Sequence, residues 1–257
     1  MERLNVRTLL LELTRQCNLS CLHCFRGDSE NKYMSPEMIE KLFKNIARIN
    51  TLLLTGGEPF LAVDQLRKIT EILNQDRMNI EELIAVTNGT VLSDEILNML
   101  FVLKEKTNFQ IRISSDKFHL LELQRNNLEY KKDKNIKLLK KYFNVVEMLP
   151  DEKVYVIDRR GRAQNLTQED LDKINNYGNT KTKYVFGNDA ILKKYDEIYK
   201  IPNIIDDNVV DGTLNIDVYG NITPTYYSFE DEDNNIYSNV RGNKTLKKAI
   251  TNIRSVK

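Results

Sequence analysis

Short apolar runs alternate with segments of helical period over the first 150 residues, and this pattern limits the possible fold more than any other feature of the chain. Apolar runs of strand length separated by amphipathic helical segments predict βα units around a parallel sheet. A length of 257 residues is ordinary for one α/β barrel. The predicted strands are Thr8–Thr14, Thr51–Thr55, Leu83–Thr87, Phe109–Ser114, Asn144–Leu149 and Lys153–Ile157.

Helices fill the gaps between these strands. Ser35 followed by Pro36 has the character of an N-cap with proline at the first helical position, so the first helix should begin there. The other predicted helices are Asp64–Leu73, Ser93–Lys104, Leu120–Tyr142 and, near the end, Leu246–Ile253.

The alternation weakens after Asp158. From Asn175 to Asp211 we predict irregular structure that closes the barrel or covers its mouth. Between Gly212 and Tyr226 two short strands are expected around Tyr219-Gly220-Asn221, because that tripeptide is a hairpin turn signal.

Charge gives no reason to expect a nucleic-acid or membrane surface. The 38 basic and 37 acidic residues nearly cancel and are interspersed. The apolar run near the N-terminus is short and interrupted by charge, which does not suit a signal peptide, and no later stretch approaches 18 consecutive apolar residues. The expectation is a soluble protein of the cytoplasm.

All three cysteines lie in one short stretch, CNLSCLHC, at positions 17, 21 and 24. In a reducing compartment an odd number of closely spaced cysteines favours metal binding or redox chemistry over a disulfide framework. Three cysteines on a four-iron cluster leave one iron open for an outside ligand, whereas a zinc site would need His23 or His119 as its fourth ligand. Three unrelated buried thiols are the remaining alternative.

Other polar groups follow the predicted strands. Gly56 and Gly57 have no Cβ, so the backbone there can approach a ligand closely, although a plain glycine turn is the alternative. Ser114, Ser115 and Asp116 end the fourth strand, where barrel enzymes place their chemistry, but they could equally cap the next helix.

Three further sites have weaker signals. Asn88 precedes a glycine, a pair common in turns. His119 could contact substrate or relay a proton, or simply be an exposed histidine at a helix start. Arg162, in a basic cluster, could pair with a carboxylate through bidentate hydrogen bonds, and a surface turn with incidental arginines is the alternative.

The C-x3-C-x2-C run of Cys17, Cys21 and Cys24 resembles the signature of the radical S-adenosylmethionine (radical SAM) enzymes, with His23 where an aromatic residue or histidine usually precedes the last cysteine. TGGEP at Thr55–Pro59 is similar to the GGEP motif of that family in type and place. TNGT at 87–90 and ISSDKFH at 113–119 resemble the positions where the family contacts cofactor and substrate. The resemblance covers roughly residues 8–165.

The resemblance implies a partial (β/α)6 TIM-like barrel in residues 1–165 and a small hairpin and helix extension in residues 166–257. The ending resembles a SPASM or twitch extension, but Thr225 occupies its expected cysteine position, so a second cysteine-ligated cluster cannot form. One 4Fe–4S cluster would be held by Cys17, Cys21 and Cys24. The residues implied to bind S-adenosylmethionine are His23, Thr55, Gly56, Gly57, Glu58, Pro59, Asn88, Ser114, Ser115 and Asp116.

The implied activity is reductive cleavage of S-adenosylmethionine to a 5′-deoxyadenosyl radical that abstracts a substrate hydrogen, with His119 and Arg162 as catalytic residues and an external electron donor such as flavodoxin or ferredoxin. The GRA triplet at 161–163 and the SPASM-like ending favour a peptide or protein side chain as substrate. Compact length favours a nucleotide or other small molecule, in the manner of the deazapurine synthases. A glycyl-radical activase is less favoured, and a non-catalytic iron–sulfur redox sensor is the alternative outside enzymes.

Overall fold

The computed structural model describes residues 3–75, 78–148, 154–177, 182–187, 202–206, 208–223, 238–240, 245–251 and 253. The strands are β1 Leu4–Thr14, β2 Ile46–Gly56, β3 Asn79–Thr87, β4 Asn108–Ser114, β5 Asn144–Met148, β6 Val154–Ile157, β7 Lys183–Phe186, β8 Asn203–Ile205, β9 Val209–Ile216, β10 Asn221–Thr223 and β11 Ser238–Asn239. The α-helices are α1 Pro36–Lys44, α2 Val63–Asn74, α3 Asp94–Lys106, α4 Lys117–Arg125, α5 Glu129–Tyr142, α6 Gln168–Asn176 and α7 Leu246–Thr251, with 3₁₀ turns at Pro59–Leu61 and Gly161–Asn165.

One sheet carries the fold, with strand order β11-β10-β9-β1-β2-β3-β4-β5 and β8 paired to β9. Strands β1 to β5 are parallel neighbours, and β9 joins the other edge of β1 in parallel, so six parallel strands run in succession. The predicted α/β class with a parallel sheet is confirmed. The sixth parallel strand is β9 rather than the predicted strand at Lys153–Ile157, because β6 pairs with β7 in a separate two-stranded sheet.

The two faces of the sheet differ because side chains alternate along each strand. One face packs against α1, α2, α3 and α5 in the main hydrophobic core, to which β4 contributes Phe109, Ile111 and Ile113. The opposite face, called the inner face below, carries no helix of that core. Its side chains include Thr8, Leu10, Glu12, Thr51, Leu53, Thr55, Glu82, Ile84, Val86, Gln110, Arg112 and Ser114.

The single helix predicted over Leu120–Tyr142 is wrong. The structure has two helices there, and α4 begins earlier, at Lys117. The helical conformation is interrupted at Asn127, which adopts φ 55°. Asparagine tolerates this left-handed conformation better than most residues, so two successive asparagines were a usable stop signal.

The stretch predicted to be irregular, Asn175 to Asp211, contains β7, β8 and the start of β9 in its described parts. The predicted turn at Tyr219–Asn221 is present between β9 and β10, with Gly220 at φ 79° and Asp217 Oδ1 accepting the N–H groups of Tyr219 and Asn221. Leu149, Lys153 and Thr225 lie outside the described residues. Within the described ranges, no helix is both long and apolar enough to span a membrane.

Candidate functional site

The three cysteines lie on a loop, residues 15–32, that leaves the carboxyl end of β1 and is called the cysteine loop below. Its two ends are tied together, since Arg15 N donates to Lys32 O at 2.9 Å and Cys17 N donates to Ser29 Oγ at 2.8 Å. Cys24 N donates to Cys21 O at 3.1 Å, which curls the chain between the last two thiols. Hydrogen bonds within the loop, two between backbone groups and one to the Ser29 hydroxyl, therefore help to hold its shape.

All three thiols are free of disulfides, and Cys21 is buried. Burial raises the pKa of Cys17 to about 11. Burial also raises the pKa of Cys21, and the negative charges of Asp116, Cys17 and Cys24 add to that shift, so the thiols lie close enough to influence one another. Iron binding here would release protons, because thiolates rather than thiols ligate metals.

A mononuclear zinc site fits the geometry poorly. Among the described residues, one set of three potential ligands has all its ligand atoms within 4.8 Å of one another, namely His23, Asp116 and His119, and it includes no cysteine. Sulfurs around one tetrahedral zinc lie roughly 3.8 Å apart, given Zn–S bonds of about 2.3 Å. Three more widely separated thiols suit a larger iron–sulfur cluster.

The Gly56–Pro59 turn at the end of β2 lies directly against the start of the cysteine loop. Gly57 N donates to Thr14 O at 2.7 Å and Glu58 N to Gln16 O at 2.8 Å. A Cβ on Gly56, which has φ 144°, would lie 2.2 Å from Thr14 O, and one on Gly57 would lie 2.3 Å from Gln16 O. The glycines are required for this backbone contact, which takes up the N–H groups of Gly57 and Glu58.

Glu58 is fully buried and joins the ends of two strands. Its Oε1 accepts from Phe60 N and Thr87 Oγ1 at 3.0 and 2.8 Å, and its Oε2 accepts from Asn88 N at 2.8 Å. Burial raises the pKa of Glu58 to about 7 against the lowering effect of these three hydrogen bonds. Pro59 is buried beside it and starts the 3₁₀ turn, and Thr55 lies on the inner face opposite Glu12 of β1.

Asn88 connects the end of β3 to the cysteine loop. Its Nδ2 donates to Asn18 Oδ1 at 3.0 Å, and its Oδ1 accepts from Thr90 N and Thr90 Oγ1. Asn18 Nδ2 closes the circuit by donating to Thr90 Oγ1 at 2.8 Å. The contacts of Asn88 therefore set the position of the residue next to Cys17.

Asp116 contacts both histidines of the chain, His23 and His119. It caps α4 through Phe118 N and His119 N, while its Oδ2 lies 2.5 Å from His119 Nδ1 and 3.4 Å from His23 Nε2. Burial alone would raise the pKa of Asp116, but the two histidines outweigh it and hold that pKa well below its usual range. His23 also stacks on Phe118, with ring centroids 4.5 Å apart.

Ser114 and Ser115 meet a buried lysine that the sequence did not single out. Lys132 Nζ donates to Ser114 O at 2.9 Å and to Ser115 Oγ at 3.0 Å. Burial lowers the pKa of Lys132, and nearby carboxylates oppose that shift. These contacts tie α5 to the carboxyl end of β4.

Arg162 contacts the cysteine loop itself. Its backbone N donates to Cys24 O at 2.9 Å, its Nε donates to Cys21 O at 3.0 Å, and one Nη lies 3.4 Å from Asp28 Oδ1. Gly161, at φ 55°, would place a Cβ 2.5 Å from Phe25 O and Gly27 N. The GRA triplet thus packs against the middle of the loop, between Cys21 and Asp28.

The predicted site residues therefore converge on one place at the carboxyl ends of β1 to β4. Four contributors were missed: Asn18, Asp28, Glu122 and Lys132. Glu122 Oε1 accepts the N–H of Ser20 at 3.1 Å. Asn18 lies inside the cysteine motif and could have been noticed, but the other three lie in segments whose pattern shows only solvated helix or loop.

The fold is similar to that of a solved structure, native anSMEcpe with bound AdoMet and Cp18Cys peptide. The likeness covers 95% of this chain and 80% of that chain, with a TM-score of 0.55 and 15% identity. At that identity the likeness shows the fold alone, and it confirms the predicted partial barrel.

Curated relatives match a shorter segment. A probable GTP 3′,8-cyclase from Pyrococcus horikoshii is 38% identical over 92 residues, which is 34% of this chain and 28% of the relative. One from Methanocaldococcus jannaschii is 32% identical over 116 residues, 43% of this chain and 37% of the relative. The matches thus span less than two fifths of these relatives.

The family model of the Radical SAM superfamily matches residues 11–151, more than half of the chain. That segment includes the cysteine loop, the Gly56–Pro59 turn, Asn88 and the Ser114–Asp116 edge. Members of the superfamily bind a 4Fe–4S cluster and S-adenosylmethionine, and a three-thiol donor set fits that cluster. The chain belongs to the radical SAM superfamily.

Proposed function

We propose that this chain is an enzyme that cleaves S-adenosylmethionine reductively at one 4Fe–4S cluster held by Cys17, Cys21 and Cys24. The observation that carries the proposal is that three unpaired thiols lie on one loop, which backbone contacts from other elements fix at Gln16 and Cys24. When bound, the cluster and S-adenosylmethionine supply a 5′-deoxyadenosyl radical that abstracts a hydrogen atom from the substrate.

The residues of the chain would shape and hold this site. Gly57 and Glu58 fix the loop before Cys17, and Arg162 fixes it at Cys21 and Cys24. Since both the backbone and the side chain of Arg162 contact the loop, we propose that Arg162 positions the thiols. His119 stays a proposed catalytic residue, and the hydrogen bond from its Nδ1 to Asp116 would orient its ring.

A peptide or protein side chain is the substrate predicted from the sequence. Its support is the hairpin of β9 and β10, which resembles the start of a peptide-modifying enzyme's C-terminal extension. The GRA triplet no longer contributes to this argument, because its contacts explain it as a support of the cysteine loop.

A nucleotide is the second candidate. The observation that favours it is the 38% identity over 92 residues with a probable GTP 3′,8-cyclase. An external reductant such as flavodoxin or ferredoxin would serve either substrate.

The test is anaerobic reconstitution with iron and sulfide, followed by dithionite, S-adenosylmethionine and chromatography of 5′-deoxyadenosine. Wild-type protein should form it, and Cys17→Ala, Cys21→Ala and Cys24→Ala should each abolish it. Ser20→Ala is the matched control, because Ser20 lies exposed in the same loop and its contact with Glu122 uses only its backbone.

Two results would contradict the proposal. One is 5′-deoxyadenosine formation that persists in cluster-free protein. The other is a stable wild-type cluster that yields none, even with GTP or peptides present, which would favour the redox-sensor alternative.

A further inference from the structure

The inner face of the sheet is polar and partly open. Thr8, Thr51 and Thr55 lie on central strands and yet stay half-buried. A central strand residue can stay half-exposed only where nothing packs over it. Among the described residues, part of the inner face is therefore uncovered, whereas Leu10, Glu12 and Ile84 on the same face are buried.

Arg112 lies on that face in β4, the strand next to the edge strand β5. It alternates with Ile111 and Ile113, which point into the core, and it pairs in register with Val86 on β3 and Val146 on β5. Its Nε donates to Gln110 Oε1 at 2.7 Å, which places both side chains on the same face. Both Nη atoms have no protein hydrogen-bond partner among the described residues.

The acidic groups of the inner face already have partners. Glu12 Oε1 lies 3.3 Å from Arg15 Nε, and Glu82 Oε2 accepts from Thr51 Oγ1 at 3.2 Å. No described carboxylate lies within ion-pair distance of Arg112. The half-buried guanidinium thus has no ion-pair partner among the described residues, and both of its Nη groups keep free donors.

Arg112 also lies at a suitable distance from the edge of the sheet that meets the cofactor site. Ser114, two residues further along β4, belongs to the edge that meets the cofactor site, so Arg112 is roughly 7 Å deeper at about 3.3 Å per residue. We propose that Arg112 binds an oxyanion group of the substrate, a phosphate or a carboxylate, and so holds the reacting carbon between itself and the cysteine loop. The planar guanidinium suits both groups through bidentate, charge-assisted hydrogen bonds. This inference rests on the proposed function.

The test measures binding rather than turnover. Reconstituted protein with S-adenosylmethionine is titrated by calorimetry with two anionic probes, GTP and N-acetyl-glycyl-glycyl-aspartate, and with their neutral counterparts, guanosine and N-acetyl-glycyl-glycyl-asparagine amide. Wild type should bind one charged probe at least tenfold more tightly than its neutral counterpart, since a hydrogen bond to a charged group contributes about 1.5–3 kcal/mol. A preference for GTP identifies a phosphate, and a preference for the tripeptide identifies a carboxylate.

Arg112→Gln should abolish that preference. Arg48→Gln is the matched control, because Arg48 is an exposed arginine of β2 paired with Glu81, and it should keep the preference. If Arg112→Gln fails to hold its cluster, Arg112→Met, which keeps a long aliphatic stem, replaces it. The inference is overturned if wild type shows no preference, or if the preference survives both variants. Because 5′-deoxyadenosine formation by wild type is measured separately, failure here is distinguishable from failure of the proposed function.

Discussion

Two glycine turns contact the cysteine loop, one at its start and the other at its middle, and they differ in how they are built. The Gly56–Pro59 turn ends β2, which pairs with β1 along its whole length, and its contacts are buried backbone hydrogen bonds. The Gly161–Asn165 turn follows β6, which belongs to the separate two-stranded sheet, and its arginine reaches an exposed partner, Asp28. The first contact therefore belongs to the main sheet, whereas the second joins the loop to a separate part of the structure.

Because of this difference, variants of the two turns should affect two properties separately: the stability of the fold and the retention of the cluster. Damage to the first turn should destabilise the whole domain, because the same hydrogen bonds join β1 to β2. Damage to the second turn should release the thiols while the sheet stays folded. The variants below test this distinction in order of expected effect.

Gly57→Ala should be the most damaging variant. Its Cβ would meet Gln16 O at 2.3 Å and Gln16 C at 2.6 Å, and rigid backbone cannot move away cheaply. We expect a loss of about 3 kcal/mol or more in unfolding free energy, measured by urea denaturation of the metal-free protein. Gly89→Ala is the control, since its Cβ meets only side-chain atoms, at 3.4 Å, and should cost about 1–2 kcal/mol for the left-handed backbone. If Gly57→Ala and Gly89→Ala lost the same unfolding free energy, the backbone contact at Gly57 would not be important for stability.

Glu58→Gln should change the pH dependence of stability. Burial raises the pKa of Glu58 from 4.5 to about 7, so the folded state binds a proton that the unfolded state has released. Unfolding free energy should therefore fall by roughly 3 kcal/mol as pH rises from about 4.5 to about 7. In Glu58→Gln this fall should disappear. Thr87→Val removes one donor that lowers the pKa of Glu58, so there the fall should extend to higher pH. An identical pH profile in wild type and Glu58→Gln would contradict this account.

Gly161→Ala should loosen the loop more than the fold. Its Cβ would lie 2.5 Å from Phe25 O, and its φ of 55° is unfavourable for alanine. We expect a loss of about 1–2 kcal/mol in unfolding free energy, together with clearly reduced iron per protein after desalting. A full iron complement would show that the second turn does not support the thiols.

Arg162→Gln should have the smallest effect on stability, about 1 kcal/mol, since it removes one hydrogen bond to Cys21 O and a largely exposed ion pair. The expected signature is faster bleaching of the cluster absorbance in air and an altered electron paramagnetic resonance spectrum of the reduced cluster. Arg159→Gln, at an exposed neighbouring position, should match wild type. If the spectra of Arg162→Gln and Arg159→Gln were indistinguishable, Arg162 would not position the thiols.

The sequence predicted the first turn far better than the second. Gly56 and Gly57 follow an apolar strand, so a close backbone approach was readable from the pattern, but the predicted partner was a ligand and the structure has the backbone of Thr14 and Gln16 there. Gly161 and Arg162 lie where the alternation has already weakened, and nothing local indicates that they contact residues about 140 positions earlier. For the same reason β9 was predicted only as part of a hairpin, because its parallel pairing with β1 depends on the whole chain. The break at Asn127 was missed because the apolar period continues through it.

The pairing of β1 with β9 also bears on how the protein is made. β1 is the first strand of the chain, and Leu11 lies beside Ile216 in the finished sheet. A ribosome must therefore deliver some two hundred residues before this edge of β1 is covered, and contacts so distant in sequence form slowly. During that interval the strand that precedes the cysteine loop has an open edge, and until residue 162 has been made the thiols also lack the Arg162 contact. Newly made chains should thus be most vulnerable to oxidation and aggregation before β9 docks, which ties successful cluster loading to the last steps of folding.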